Sequence, residues 1–281
     1  MTLSIWCEPT AGTVAVGLRL AGLPRLIGYQ GAKWGYADAI LHHMGLVPGS
    51  GVDTLMLADI SPGWQGCWRG LAQPGCAHAA GEIVEAWRDH YGSDAPVHYR
   101  ACWDEQLAIY RAKGIEPTPM GVARWLVLIA LSAMQRGPDA GPAIGYDPAW
   151  KTWPSKTKPT PTCGTVSVGK RLMAWPEVPP TILVWDRADL IPPTAGAYVM
   201  FDPPYENCQG YESGTLSRSM MLHLADRWAH VGATCVGIME GEAMPGYDSV
   251  DLTIRRKGTT PHWGRSTKEI LSLHPHCAGA T

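Results

Sequence analysis

Four short apolar runs along the chain each stop at an acid. Residues 3–7 close on Glu8, 54–58 on Asp59, 181–185 on Asp186 and 197–201 on Asp202. Runs of this length, rich in β-branched and aromatic residues, predict buried strands. Residues 234–239 and 251–254 predict two more. Between these runs the spacing turns helical. Residues 13–21 hold few breakers apart from Gly17, Ala37, Ile40, Leu41 and Met44 fall on one helical face, and 66–92 reads as helix interrupted by glycines. Further helices are predicted over 103–113, over 217–230, which is amphipathic, and over 120–134. The last carries Val122, Trp125, Leu126, Ile129 and Met134 and is apolar on nearly every side, as a core helix is. Strands alternating with helices predict an α/β sheet with helices on both faces. In such sheets ligands bind at the carboxyl ends of the strands, which is where the acids fall.

The stretch from Ala197 to Tyr205 is the most pointed of these runs. It is continuously apolar from Tyr198 to Phe201 and then reads Asp202-Pro203-Pro204-Tyr205. Proline cannot donate to a ladder, so pairing must end at Asp202. Asp202 can accept one N–H, the Pro203 carbonyl can accept a second, and Tyr205 offers a stacking face. Together they suit a planar group that carries an exocyclic amine. The same residues also suit an ordinary turn at a strand end, so the choice between the two rests on the remainder of the chain.

Two glycine turns bear on it. Trp6-Cys-Glu-Pro-Thr-Ala-Gly12 places a glycine between the first strand and the first helix, where a ligand can approach the backbone and the helix's first N–H groups. Residues 28–35 form a second such turn around Lys33, a position at which a lysine either meets an anion or is simply solvated. Asp59, followed by Ile60, ends the second strand, where an acid either accepts from ribose hydroxyls or caps the next helix. From 136 to 180 the chain is rich in Pro, Gly, Thr and Lys, with Trp150 and Trp153 near Lys151, Lys156, Lys158, Lys170 and Arg171. This composition predicts a long irregular segment, either a solvated loop or a nucleic-acid surface made of phosphate-pairing and base-stacking side chains.

Composition narrows the class. The 281 residues suffice for one large domain, or for one with a smaller appended part. The net charge of −2 advertises no general affinity for nucleic acid, so any such surface must come from local clusters. The eight cysteines form no Cys-x-x-Cys pair and no zinc-like spacing, which predicts free thiols in a reducing cytosol and no metal centre. No apolar run nears the ~20 residues of a membrane span, and the first ten residues lack the basic start of a secretion signal.

Together, Trp6-Cys-Glu-Pro-Thr-Ala-Gly12, Asp202-Pro-Pro-Tyr205 and the tail with Arg255-Arg256 and Arg265-Ser-Thr-Lys-Glu-Ile-Leu resemble the Dam-type, or D12 class, of DNA adenine N6-methyltransferases. The resemblance implies a Rossmann-like methyltransferase sheet, S-adenosylmethionine as cofactor, DNA as partner, and a prokaryotic or phage-infected cytoplasm. It implies catalytic roles for Asp202, Pro203, Pro204 and Tyr205. A cofactor site would be built from Trp6, Glu8, Pro9, Ala11 and Gly12, with Lys33, with Asp59 and Ile60 at the ribose, and with Asp186 at the adenine ring. Residues 1–119 and 181–281 would form the catalytic domain and 120–180 the target-recognition region. DNA contacts would come from Lys151, Lys156, Lys158, Lys170, Arg171, Arg255, Arg256, Lys257, Arg265 and Lys268. One motif departs from the family's order: Gly31-Ala-Lys-Trp34 is similar to a Gly-Gly-Lys motif that ordinarily precedes the cofactor motif, and here it follows. The same amine chemistry also suits cytosine N4, an RNA base or a glutamine side chain, and a non-catalytic DNA-binding protein could keep the fold.

Overall fold

The structure, a computed structural model, describes residues 3–27, 33–91, 96–132, 138–140, 162–203, 216–252 and 268–277. Its strands are β1 (Leu3–Glu8), β2 (Val52–Ala58), β3 (Thr181–Trp185), β4 (Tyr198–Phe201), β5 (Cys235–Glu240), β6 (Asp248–Asp251) and β7 (Ile270–Leu273). Its helices are α1 (Ala15–Leu20), α2 (Ala37–His43), α3 (Pro62–Leu71), α4 (Cys76–Tyr91), α5 (Pro96–Lys113), α6 (Pro119–Leu131), α7 (Thr162–Met173) and α8 (Arg218–His230). No described helix is long and apolar enough to cross a membrane.

The strands form one sheet in the order β3-β2-β1-β4-β5-β7-β6. β1 pairs in parallel with β2 and with β4, and β4 pairs in parallel with β5. β7 runs antiparallel to both β5 and β6. The central strands read as unbroken apolar runs because they are buried, with Trp6, Cys7, Leu55, Leu57, Val199, Phe201, Val236 and Ile238 all inaccessible. α8 follows the opposite rule. Met221, Leu224, Ala225 and Trp228 make its one buried stripe, and the Ser217 hydroxyl caps it by accepting from the Met220 N–H.

The chain divides into two compact units, one of 1–22, 33–59 and 185–281, the other of 23–32 and 60–184. The second unit therefore takes in α3, α4 and α5, which the sequence reading placed with the sheet by dividing the chain at 119. The cause lies in α6. Its residues from Gly121 to Leu131 are all buried, so it needs partners on every side, and α3, α4, α5 and α7 supply them. Trp64 meets the Trp125 ring edge-on at 5.7 Å in this core.

Two further expectations are corrected. Part of the segment read as irregular is α7, whose Gly164, Gly169, Thr165 and Val166 are weak helix formers that local reasoning discounts. Packing against α4 compensates. A Cβ on Gly81 of α4 would lie 2.8 Å from Met173 Cγ and 3.1 Å from the Gly169 carbonyl oxygen of α7, so the two backbones approach where both helices carry glycine. Gly81→Val is expected to overpack this contact and destabilise the fold by about 1–3 kcal/mol, measured by denaturant unfolding; an unchanged midpoint would contradict the close approach. Of the strand expected at 251–254, residues 253 and 254 lie outside the described residues; the described strand here is β6, which begins three residues earlier and ends at Asp251. It is a polar edge strand, exposed at Asp248, Ser249 and Asp251, so apolar content pointed past it.

Candidate active site

β1 and β4 lie side by side, yet the chain leaves β1 toward β2 and β4 toward β5. The sheet order reverses between them, and a crevice opens at such a switch point outside the carboxyl ends of the strands. Both of the most pointed sequence motifs end there. The turn after β1 is pinned on both sides: the Ala11 N–H donates to the Ala58 carbonyl at 2.8 Å and the Gly12 N–H to Asp59 Oδ2 at 2.8 Å. Across the reversal, the Asp202 N–H donates to Thr10 Oγ1 at 2.8 Å. Gly12 has φ +45°, and a side chain added there would meet nothing within 4 Å, so its backbone is open to a ligand. Val14, the N-cap of α1, holds φ 50°, a left-handed conformation that costs a β-branched residue about 1–3 kcal/mol.

Glu8 is a buried acid at the end of β1. Its Oε1 accepts from the Trp6 indole N–H at 2.9 Å and from the Gly17 N–H at 2.7 Å. A Cβ on Gly17 would stand 2.8 Å from the Trp6 indole, so glycine is what lets α1 bring that N–H to the carboxylate. Trp6, expected at the cofactor, is wholly buried and instead steadies Glu8 from behind. Burial pushes the Glu8 carboxyl up to about 8; the Trp6 and Gly17 hydrogen bonds oppose the rise and the charge of Asp202 adds to it. The native state thus holds a proton that the unfolded chain releases near pH 4.5, and stability falls as pH rises from there to about 8. The slope from this one group approaches about 1.4 kcal/mol per pH unit. Glu8→Gln keeps an acceptor for both donors and is expected to flatten the profile over that window. Chemical denaturation from pH 5 to 8 measures it, and an unaltered slope would assign the titration to another group.

Asp202 follows β4 and is largely buried, with 23% of its side chain exposed. Its Oδ1 meets Lys33 Nζ at 3.1 Å, and the same Nζ lies 3.3 Å from Glu269 Oε2. Lys33 stands in a 3-10 turn, Lys33–Gly35, and is buried, as is Glu269. The lysine that sits out of family order in the sequence therefore reaches the Asp202 carboxylate. Burial raises the Asp202 carboxyl above the ordinary range, the positive charge and hydrogen bond of Lys33 work against this, and the charge of Glu269 adds to the rise.

Sequence reasoning passed over two members of this group. Thr10 was read only as part of a turn. Glu269 precedes the apolar strand β7, and an acid directly before a buried run was its one signal; the neighbouring Lys268, expected on DNA, is exposed. Among the other expected site residues, Pro9 and Ala11 are buried in the turn, Pro203 is buried beside Asp202, and Ile60 is 42% exposed. The Asp59 N–H donates to the Trp185 carbonyl at 3.3 Å, which brings Asp186, exposed, to the same edge as Asp59. Asp189 is engaged by Arg187. In the second unit, Lys170 is exposed on α7, and Arg171 is half-buried, its guanidinium pKa lowered by burial and by the charge of Arg25. Pro204, Tyr205, Lys151, Lys156, Lys158, Arg255, Arg256, Lys257 and Arg265 lie outside the described residues.

The edge so assembled carries three acids: Asp59 accepts from the Gly12 N–H, Glu8 ends β1 just before the same turn, and Asp202 is tied to it through Thr10. Acids around a glycine turn can take a cationic ligand that carries hydroxyl groups, and an acid beside a fixed carbonyl can take an amine. No protein-family model matches the chain, and no curated protein is detectably similar to it.

Proposed function

We propose that the protein is an S-adenosylmethionine-dependent methyltransferase acting on the N6 amine of adenine in DNA. One observation carries the reading. The reversal between β1 and β4 brings the Glu8–Gly12 turn and Asp202 to one crevice, tied through Thr10, although 190 or so residues separate them in sequence. The sheet, in which β7 runs against both β5 and β6, is compatible with the methyltransferase-type architecture that the motifs imply.

The residues present fit the cofactor. It is cationic at its sulfonium and amino groups, and Asp59, which accepts from the Gly12 N–H, is the acid beside the turn. Gly12 leaves room beside Asp59 for a ribose, and Asp186 stands on the same edge for the adenine ring. When bound, S-adenosylmethionine supplies a methyl group on a cationic sulfur that departs as a neutral thioether.

The protein's part is to make the amine a nucleophile. An adenine N6 lone pair is delocalised into its ring. Asp202 and the Pro203 carbonyl accept the two N–H bonds and favour a pyramidal nitrogen whose lone pair points at the methyl. As the N–C bond forms, the nitrogen becomes cationic, and it gives its surplus proton to Asp202, from which water removes it. The base must leave the duplex to reach this crevice, with Tyr205 stacking on it by the resemblance. Of the basic residues expected on the phosphates, Lys268 is exposed in the same unit as the crevice.

Methylation-sensitive sequencing of DNA from cells that express the protein tests the reading, because it returns base, atom and sequence context together. N6-methyladenine at a recurring context is the expected result. Marks at cytosine N4 would move the same chemistry to the other base, and unmarked DNA with intact DNA binding would favour a non-catalytic binder.

A further inference from the structure

Among the described strands, β7 alone is flanked on both sides by antiparallel pairing, and this reversal sets its first residues at the carboxyl edge of the parallel strands. Ile270 pairs with Glu240, the last residue of β5, so Glu269 begins where the parallel strands end. There it holds one side of the lysine that touches Asp202. Lys33 Nζ lies 3.1 Å from Asp202 Oδ1 and 3.3 Å from Glu269 Oε2, one cation between two carboxylates in a buried setting.

We propose that Glu269 is a positioning residue of the transfer site, which by sharing Lys33 leaves Asp202 with the net negative charge that the reacting amine requires. The inference rests on Asp202 being the acceptor of that amine. With Lys33 opposite Asp202 alone, the pair would be neutral and the ammonium would compete with the amine for the same carboxylate. With Glu269 included, the three groups sum to −1. As nitrogen gains the methyl and the electron pair of the broken S–C bond stays with sulfur, positive charge grows on nitrogen until its proton passes to Asp202. In a buried site a net charge of −1 favours that development far more than a neutral pair does. Among the described residues, the titratable groups that face Asp202 are Lys33 from the 3-10 turn, Glu269 from the start of β7 and Glu8 from the end of β1, which keeps its proton up to about pH 8 and so adds no charge below that. Glu269 acts on the amine indirectly, by holding Lys33 and by its charge on Asp202.

Glu269→Gln preserves shape and removes the charge. In the free protein, carbon-13 NMR of the Asp202 carboxyl is expected to show its titration midpoint lower by about one pH unit in this variant, and higher in Lys33→Met. With S-adenosylmethionine and adenine-containing duplex DNA, single-turnover transfer is expected to fall about tenfold or more while cofactor affinity stays at the wild-type value, and Glu269→Asp is expected to restore part of the rate. An unmoved Asp202 midpoint overturns the proposal whatever the activity. So does a parallel loss of rate and cofactor affinity, which would mark Glu269 as merely structural. A wild-type protein that moves no methyl group, with the midpoint shift intact, sinks the methylation reading instead and the catalytic half of the proposal with it.

Discussion

Asp202→Ala is expected to cut methyl transfer by about 10²–10³-fold or more while S-adenosylmethionine still binds. The separation of the two effects follows from the geometry. Asp202 ties itself to the cofactor-side turn through its backbone, because the N–H, not the carboxylate, donates to Thr10 Oγ1. Alanine keeps that bond. It removes the carboxylate that accepts the amine hydrogen and receives the proton, and it leaves Lys33 beside Glu269. Single-turnover rates with calorimetric cofactor titration measure both quantities on one preparation. Transfer near the wild-type rate would place the chemistry elsewhere, and cofactor affinity lost in step with the rate would mean that Asp202 builds the cofactor site.

Lys33→Met is expected to have the largest effect on stability. The variant keeps the partly buried Asp202 and the buried Glu269 carboxylates and loses the cation they share. Removing one partner from a buried ion pair costs about 3–5 kcal/mol. The sign of its pH dependence follows from linkage. Without the cation the Asp202 carboxyl, already raised by burial, rises further above its unfolded value, so the native state binds more protons and stability falls as pH increases. The loss should therefore be small near pH 4, where the unfolded chain is itself protonated, and full near pH 8. Equal losses at both pH values would trace the effect to packing of the lysine stem.

The sequence disclosed the strands well because parallel central strands are buried on both faces. β1, β2, β4 and β5 could be read from apolar content alone, and Glu8, Asp59 and Asp202 marked their carboxyl ends. β6 escaped because an edge strand needs no apolar run, and its register comes from β7. α7 escaped because its local propensities are poor and its support, the glycine contact with α4, spans some ninety residues of chain. The reach of the second unit escaped because an all-apolar helix shows that it needs partners without naming them.

The candidate site divides the same way. Motif residues next to strand ends were legible from their immediate neighbours. The Lys33–Asp202–Glu269 group was not, since it joins three distant segments through the sheet order, which no local pattern encodes. The displaced Gly-Ala-Lys motif shows the limit of motif order as a guide. Lys33 follows the cofactor motif in the chain, yet it lies at the carboxylate of the other motif in space.

The central claim is that Asp202 presents an adenine amine to a methyl donor. Its most direct measurement is to incubate the protein with methyl-labelled S-adenosylmethionine and duplex DNA, digest the DNA to nucleosides and separate them. Label is expected in N6-methyl-2′-deoxyadenosine with the wild-type protein and none with Asp202→Ala. Label that persists with Asp202→Ala, or wild-type protein that leaves the DNA unlabelled, would contradict it.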